Sequence, residues 1–129
     1  MENTEIDSTR NRPEGERQIN SPVLLIDIPS YIEQIKNEQA WQDGDRNAIT
    51  VFKSDKMRII LVALHRKAEM QTEHPENILS IQVIKGKISL IANVEETHAD
   101  KEQIIALHEK IPYKIKAVKK SLILLTVVE

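Results

Sequence analysis

The sequence predicts an all-β domain, a sandwich or barrel, preceded by one short α-helix. From Ala48 onward, β-rich segments are interrupted about every eight to twelve residues by turn residues, a spacing typical of such folds. The clearest interruptions are residues 54–56, residues 75–77 and Gly86. A chain of 129 residues has room for one hydrophobic core and hardly for two, so we expect one barrel domain over residues 23–129.

The first 22 residues differ in composition from the rest of the chain. Met1, Ile6 and Ile19 are their only large apolar residues, among Glu, Asp, Asn, Arg, Ser and Pro. This apolar surface is too small to offset the entropy lost when the segment becomes ordered. We therefore expect residues 1–22 to be a disordered N-terminal tail.

One helix is predicted at about residues 30–41. Ser30 and Glu33 have the spacing of a capping box, which stabilises the first turn of a helix. A cluster of turn residues follows directly after Trp41 and should end the helix there. We expect Tyr31 and Trp41 to pack the helix against the sheet rather than to stack on a ligand.

Eight strands are predicted in the remaining sequence. Two of them contain consecutive apolar residues, at 59–64 and 122–125, so we expect both faces of these strands to be covered. The polar residues 95–101, which include His98, are interpreted as a turn. The predicted strands lie near 48–54, 58–66, 68–73, 78–85, 87–94, 102–107, 112–118 and 120–128.

Charge and composition exclude several classes of partner. The 18 Lys and Arg residues are balanced by 20 Asp and Glu residues, so no broad basic surface is available for nucleic acid or an anionic membrane. No run approaches the roughly 20 apolar residues of a transmembrane helix, and the N-terminus lacks the apolar segment of a signal peptide. Cysteine is absent, which excludes disulfides and thiolate metal sites. We expect a cytoplasmic protein that binds neither nucleic acid nor a membrane.

Two motifs carry a resemblance to a known family. In the first, the strand at residues 81–85 is followed by Gly86, which we expect to supply a positive φ in a tight hairpin. The second is the stretch at residues 106–113, and the last two predicted strands complete the pattern. Residues 68–128 therefore resemble the barrel of the cupin superfamily. The resemblance implies an all-β double-stranded β-helix, also called a jelly-roll barrel.

The resemblance also implies a metal site, from which the residues here depart. In metal-binding cupins, three His and one carboxylate are expected to face the ion. At the corresponding positions His74 and Glu73 remain, while Leu79 stands in place of the usual Glu and Tyr113 in place of the usual His. One imidazole and one carboxylate are too few to hold a catalytic transition metal against water. We therefore predict no metal site, no catalytic residue and no cofactor; a divalent metal is the alternative.

Four residues are candidates for a ligand pocket at one end of the barrel: His74, Glu73, Tyr113 and His108. Gln82 is not expected to replace the missing Glu, because strand alternation places it on the opposite face from Leu79. His65 ends an apolar strand, where we expect a hydrogen-bonded histidine rather than a ligand.

The sequence supports three functional hypotheses. The first is a non-catalytic cupin-like module that binds a small, partly apolar ligand. The second is a metal-dependent cupin enzyme of the oxygenase or isomerase type, with an unusual ligand set drawn from His65, His74, His108 and Glu73. The third is a purely structural homodimer whose barrel holds no ligand, because strands with two apolar faces present more hydrophobic surface than one small barrel covers. We favour the first hypothesis, with homodimerisation as its companion.

Overall fold

The computed structural model describes residues 22–129. The predicted disordered tail, residues 1–22, therefore lies outside the described part of the chain except for Pro22. Within that part the chain forms two short helices and nine β-strands, so the prediction of an all-β fold with a short N-terminal helical segment is confirmed. Neither of these helices is long and apolar enough to cross a membrane.

The N-terminal helical segment begins earlier than predicted and is broken. Helix α1 spans Ile28–Asn37 and helix α2 spans Gln39–Asp43, with one extended residue between them. The predicted capping box is wrong: Asp27 is the N-cap residue, and the Ser30 hydroxyl, inside the first turn, donates a hydrogen bond of 2.9 Å to the Asp27 carbonyl oxygen. Pro29 favours this earlier beginning, because the first turn does not need the N–H that proline lacks.

The strands form two antiparallel sheets that face each other as a jelly roll. Their bounds are β1 (Arg46–Lys53), β2 (Met57–Leu64), β3 (Glu69–Thr72), β4 (Ile78–Lys85), β5 (Lys87–Ala92), β6 (Glu95–Asp100), β7 (Ile104–Leu107), β8 (Tyr113–Ala117) and β9 (Ser121–Val128). The five-stranded sheet has the order β1-β2-β9-β4-β7, and the four-stranded sheet has the order β3-β8-β5-β6.

The polar stretch that was predicted to be a turn is an edge strand. β6 pairs with β5 along its whole length, and all of its residues except Ala99 are exposed. His98 therefore lies on a strand rather than in a loop. The turn itself consists of Asn93 and Val94, whose φ angles of 51° and 58° are those of a two-residue type I′ hairpin. The residues of β6 show no alternation of apolar and polar side chains, so the sequence pattern did not predict this strand.

Two hydrophobic clusters lie on opposite faces of the five-stranded sheet. The first fills the space between the sheets and includes Ile81 and Ile115, which are fully buried. The second lies between the outer face of this sheet and the helices, where Ile35, Trp41 and Tyr31 pack. Strands β2 and β9 contribute to both clusters, which confirms that they are covered on both faces. Tyr31 and Trp41 are packing residues, as predicted.

Gly86 lies where the chain crosses from one sheet to the other. Its predicted positive φ is confirmed at 96°, but the predicted hairpin is wrong, because β4 and β5 belong to different sheets. A Cβ atom here would lie 2.5 Å from the Lys120 carbonyl oxygen and 2.7 Å from Ser121 Cα. The buried Ser121 hydroxyl accepts a hydrogen bond of 3.0 Å from the Lys87 amide and donates one of 2.7 Å to the Lys119 carbonyl oxygen. The hydrogen bond between Lys87 in β5 and Ser121 in β9 links the two sheets.

Candidate functional site

One end of the barrel is formed where β2 and β4 begin and β9 ends. There Arg58 pairs with Val127, and Val127 pairs with Leu79, so these three residues lie side by side across the five-stranded sheet. In the facing sheet, Thr72 pairs with Tyr113. All five of these residues line one pocket. We call this end of the barrel, defined by these five residues, the mouth.

The mouth opens into a pocket of about 340 Å³. Small-molecule sites in proteins typically enclose about 300–1,000 Å³, with an apolar lining and a few polar groups that orient the ligand. The apolar residues of this mouth pocket are Ile60, Pro75, Leu79, Leu125 and Val127. Its polar residues are Arg58, Thr72, His74, Glu76, Asn77 and Tyr113. The mixture suits a small ligand with an apolar body and a polar end.

The structure brings together two of the four predicted site residues. His74 and Tyr113 both line the mouth pocket, and neither side chain has a hydrogen-bond or ion-pair partner in the described part of the chain. Glu73 lines a neighbouring pocket of about 250 Å³ that shares Tyr113, and its carboxylate accepts a hydrogen bond from the Gln71 side chain. His108 is exposed after β7 and lines neither of these two pockets. The geometry thus separates Glu73 and His108 from the mouth pocket.

Arg58 and Asn77 line the mouth pocket although the sequence did not mark them as candidates. Arg58 Nε donates a hydrogen bond of 2.9 Å to Glu129 Oε2. Asn77 Nδ2 lies 3.3 Å from Glu129 Oε1 and 3.2 Å from the Val128 carbonyl oxygen. A sequence signal for Arg58 existed: it has the same parity as Ile60, which packs against the barrel core.

His65 lies at the end of the barrel opposite the mouth. It follows Leu64, the last residue of β2, whereas the mouth lies where β2 begins. Its ring stacks on Trp41 with centroids 3.5 Å apart, and Nε2 lies 2.9 Å from the Trp41 carbonyl oxygen. The interpretation of His65 as a packed, hydrogen-bonded residue agrees with this geometry. His65 and His74 cannot belong to one metal centre.

The residues at the mouth do not fit a catalytic metal centre. In residues 22–129, no group of three or more His, Asp or Glu side chains is placed to hold an ion. Leu79 and Tyr113 occupy the mouth where the family resemblance implies a carboxylate and an imidazole. Gln82 does not compensate, because Leu79, Ile81 and Val83 are buried in the barrel and Gln82 lies on the other face of β4. Among the residues that line the mouth pocket, His74 carries the imidazole and Glu76 the carboxylate.

The outer face of the four-stranded sheet carries a second polar cluster. Ser89 pairs with His98 across β5 and β6, and both side chains contact Glu96 Oε2, at 2.6 Å and 3.0 Å. The hydrogen bond from Ser89 is the main cause that lowers the pKa of Glu96 below its ordinary value, and the contact with His98 is the second. The serine donates to a carboxylate and not to the imidazole, so this cluster lacks the nucleophile and base of a hydrolase.

Comparison with solved structures identifies the architecture. No protein-family model and no curated protein sequence matches this chain. A cupin superfamily protein from Desulfitobacterium hafniense matches with a TM-score of 0.66 and 10% identity, over 85% of this chain and 94% of that protein. The protein therefore has the cupin fold.

Two further solved structures similar to this chain are a protein of unknown function and an enzyme. A protein of unknown function from Streptococcus pyogenes matches with a TM-score of 0.65 and 20% identity, over 86% of this chain and 90% of that one. Salicylate 1,2-dioxygenase from Pseudoaminobacter salicylatoxidans matches with a TM-score of 0.72 and 16% identity, over 91% of this chain but 37% of the enzyme. Similarity at this level of identity shows the cupin fold and no more, so the function is argued from the mouth pocket.

Proposed function

We propose that this protein is a non-catalytic cupin-fold module that binds a small, partly apolar ligand in its mouth pocket. The observation that carries the proposal is a pocket of about 340 Å³ in which Leu79 and Tyr113 stand where the family resemblance implies metal ligands. An aliphatic chain has no donor atom for an ion, and a neutral phenol is a weak metal ligand, so this pair offers dispersion contacts and hydrogen bonding rather than a metal cage. Such a pocket retains a ligand without providing a Lewis acid.

The unpaired polar groups of the pocket support the same proposal. Tyr113 and His74 have hydrogen-bonding groups that no atom of the described residues uses. In a partly apolar pocket, a few such groups fix the orientation of a ligand while its apolar body is buried. The ligand class that fits is therefore a small molecule with one polar end.

An NMR titration of the full chain with hexanamide, a neutral probe with an apolar chain, tests this proposal. We expect saturable shifts of the Thr72, Leu79 and Tyr113 amides. Tyr113→Leu removes a hydrogen bond and an aromatic contact and should weaken binding about tenfold. Tyr31→Leu is the matched control, because Tyr31 is also half-buried but packs against the helix-side cluster. Equal binding by the two variants would refute the assignment of the ligand to the mouth.

The alternative function is a metal-dependent enzyme of the oxygenase or isomerase type, and the similarity to a dioxygenase keeps it open. Elemental analysis of the purified protein separates the two functions. The non-catalytic proposal expects Fe, Mn, Ni and Zn far below one ion per chain. A stoichiometric ion that is lost in His74→Ala and retained in His98→Ala would favour the enzyme, because His98 lies on the outer sheet face.

Homodimerisation is the companion proposal, and the edge strand β7 is the surface that supports it. The helices cover part of the second apolar face, so the excess of hydrophobic surface is smaller than the sequence suggested. β7 ends the five-stranded sheet, carries no charged residue and leaves Ile104 60% exposed, which suits antiparallel pairing with a second copy. Light scattering should show a dimer that Ile104→Lys dissociates and Ile91→Lys, on the other sheet, does not. A wild-type monomer at micromolar concentration would overturn the proposal.

A further inference from the structure

We infer that the mouth pocket selects a small carboxylate with an apolar body, and that the Glu129 carboxylate competes with this ligand for Arg58. This inference rests on the proposed ligand-binding function. It adds that the ligand carries a negative charge and that Glu129 competes with it for Arg58.

Arg58 places a permanent positive charge in the wall of the pocket. On β2 it has the same parity as Ile60, Val62 and Leu64, which belong to the cluster between the sheets or pack against it. Its side chain is 32% exposed and stands beside Val127, so much of it is withdrawn from water. A partly buried cation of this kind requires an anion or several hydrogen-bond acceptors nearby.

Glu129 supplies that anion and shows which groups recognise a carboxylate. One of its oxygens accepts from Arg58 Nε at 2.9 Å, and the other lies 3.3 Å from Asn77 Nδ2. Both donors belong to residues that line the mouth pocket, whereas Glu129 does not line it. Its side chain is 34% exposed, so it can turn into solvent while its backbone stays hydrogen-bonded to the Lys56 carbonyl oxygen at 2.9 Å.

Arg58 has hydrogen-bonding capacity left for a ligand. A guanidinium carries five N–H donors, and only Nε of Arg58 has a partner among residues 22–129. A carboxylate in the pocket can accept from both Nη groups, and such a bidentate, charge-assisted pair is stronger than a single contact. Ile60 and the Tyr113 ring are available to the apolar body of the same ligand. A neutral amide of equal size cannot form this pair.

The charges around the pocket explain why Glu129 must withdraw. Binding an acid while Glu129 stays in place would put two carboxylates on one guanidinium, and Glu76 in the pocket wall adds a further negative charge. Like charges this close repel each other, so the ligand carboxylate binds best once Glu129 has moved away. The carboxylate of Glu129 therefore lowers the affinity of the pocket for acids and leaves its affinity for neutral ligands unchanged.

Hexanoate and hexanamide are matched probes, because they differ only at the polar end. In titrations of the full chain, Glu129→Gln should bind hexanoate about tenfold more tightly than the wild type and hexanamide equally well. Arg58→Gln should bind hexanoate no more tightly than hexanamide, and it should still bind hexanamide. Arg46→Gln is the control for loss of a surface arginine, since it breaks an exposed ion pair with Asp45 and should change neither affinity.

The possible outcomes separate this inference from the proposed function. Suppose that hexanamide binds at the mouth, but neither the wild type nor Glu129→Gln binds hexanoate more tightly than hexanamide. The mouth pocket is then a binding site, and the inferred selectivity for carboxylates is wrong. If Glu129→Gln binds hexanoate less tightly than the wild type, Glu129 holds Arg58 in position for the ligand and the competition is overturned. If neither probe binds, the proposed function fails together with the inference.

Discussion

A buried serine hydroxyl stabilises an ionised carboxylate on the outer face of the four-stranded sheet. Ser89 is 4% exposed and donates a hydrogen bond of 2.6 Å to Glu96, which lowers the pKa of that carboxyl group. A lowered carboxyl pKa stabilises the folded state at pH values above the unfolded-state pKa. This contribution is lost as the pH falls through the folded-state pKa.

Ser89→Ala should raise the pKa of Glu96 toward the ordinary value of 4.5, as measured by NMR titration of the side-chain carboxyl. His98→Ala removes the second cause and should raise the pKa less. The stability difference between Ser89→Ala and the wild type should be fully present at neutral pH and shrink as the pH falls from about 4.5 through the lowered folded-state pKa of Glu96 in the wild type. An unaltered Glu96 pKa in Ser89→Ala would show that this hydrogen bond is not the principal cause.

At Gly86 the crossing between the sheets leaves no room for a side chain. Gly86→Ala combines a positive φ with a Cβ atom 2.5 Å from a backbone oxygen, and should lower the free energy of unfolding by about 2–4 kcal/mol. Chemical denaturation measures this loss. Gly44→Ala is the control, because its φ of −109° suits any residue and its closest contact is 3.0 Å, so its loss should be smaller. Equal losses would contradict the role assigned to Gly86.

At the scale of elements, the β5–β6 hairpin contains an unfavourable turn residue. Val94 has a φ of 58° and is 101% exposed, so no packing holds this β-branched residue in a left-handed conformation. Val94→Gly creates the Asn-Gly pair preferred in type I′ turns and should raise the free energy of unfolding by about 1 kcal/mol. Thermal or chemical unfolding measures the gain. Val118→Gly, at an exposed position without positive φ, should not stabilise, and a less stable Val94→Gly would refute the account of the turn.

Strands with a hydrophobic pattern were predictable from the sequence, and those without one were not. β2, β4 and β9 show consecutive or alternating apolar residues because their faces pack against one or both clusters. β6 escaped prediction because its side chains are exposed and its turn, Asn93 with Val94, lacks glycine. The predicted helix start at Ser30 was wrong. Asp27 is the N-cap residue and Pro29 lies in the first turn, so the helix begins before the position that the capping-box spacing indicated.

At the scale of the whole molecule, the jelly roll assembles the mouth from residues that are distant in sequence. Arg58, Leu79 and Val127 are neighbours only because β9 lies between β2 and β4. His74 and Tyr113 could be predicted as pocket residues because they lie in motifs that resemble a known family. For Arg58 the sequence held only part of the signal: its parity with Ile60 indicates the inward face of β2, but its neighbours in the pocket depend on the register of three strands.

We propose that the mouth of this cupin fold binds a small ligand without a metal. The most direct measurement is an amide shift map of the full chain, freed of metal by a chelator and titrated with hexanamide. We expect saturable shifts at Thr72, Leu79 and Tyr113, and none at Ser89 and Glu96 on the outer face. Shifts at the mouth that appear only after a divalent metal is added, or no saturable shift there at all, would contradict the claim.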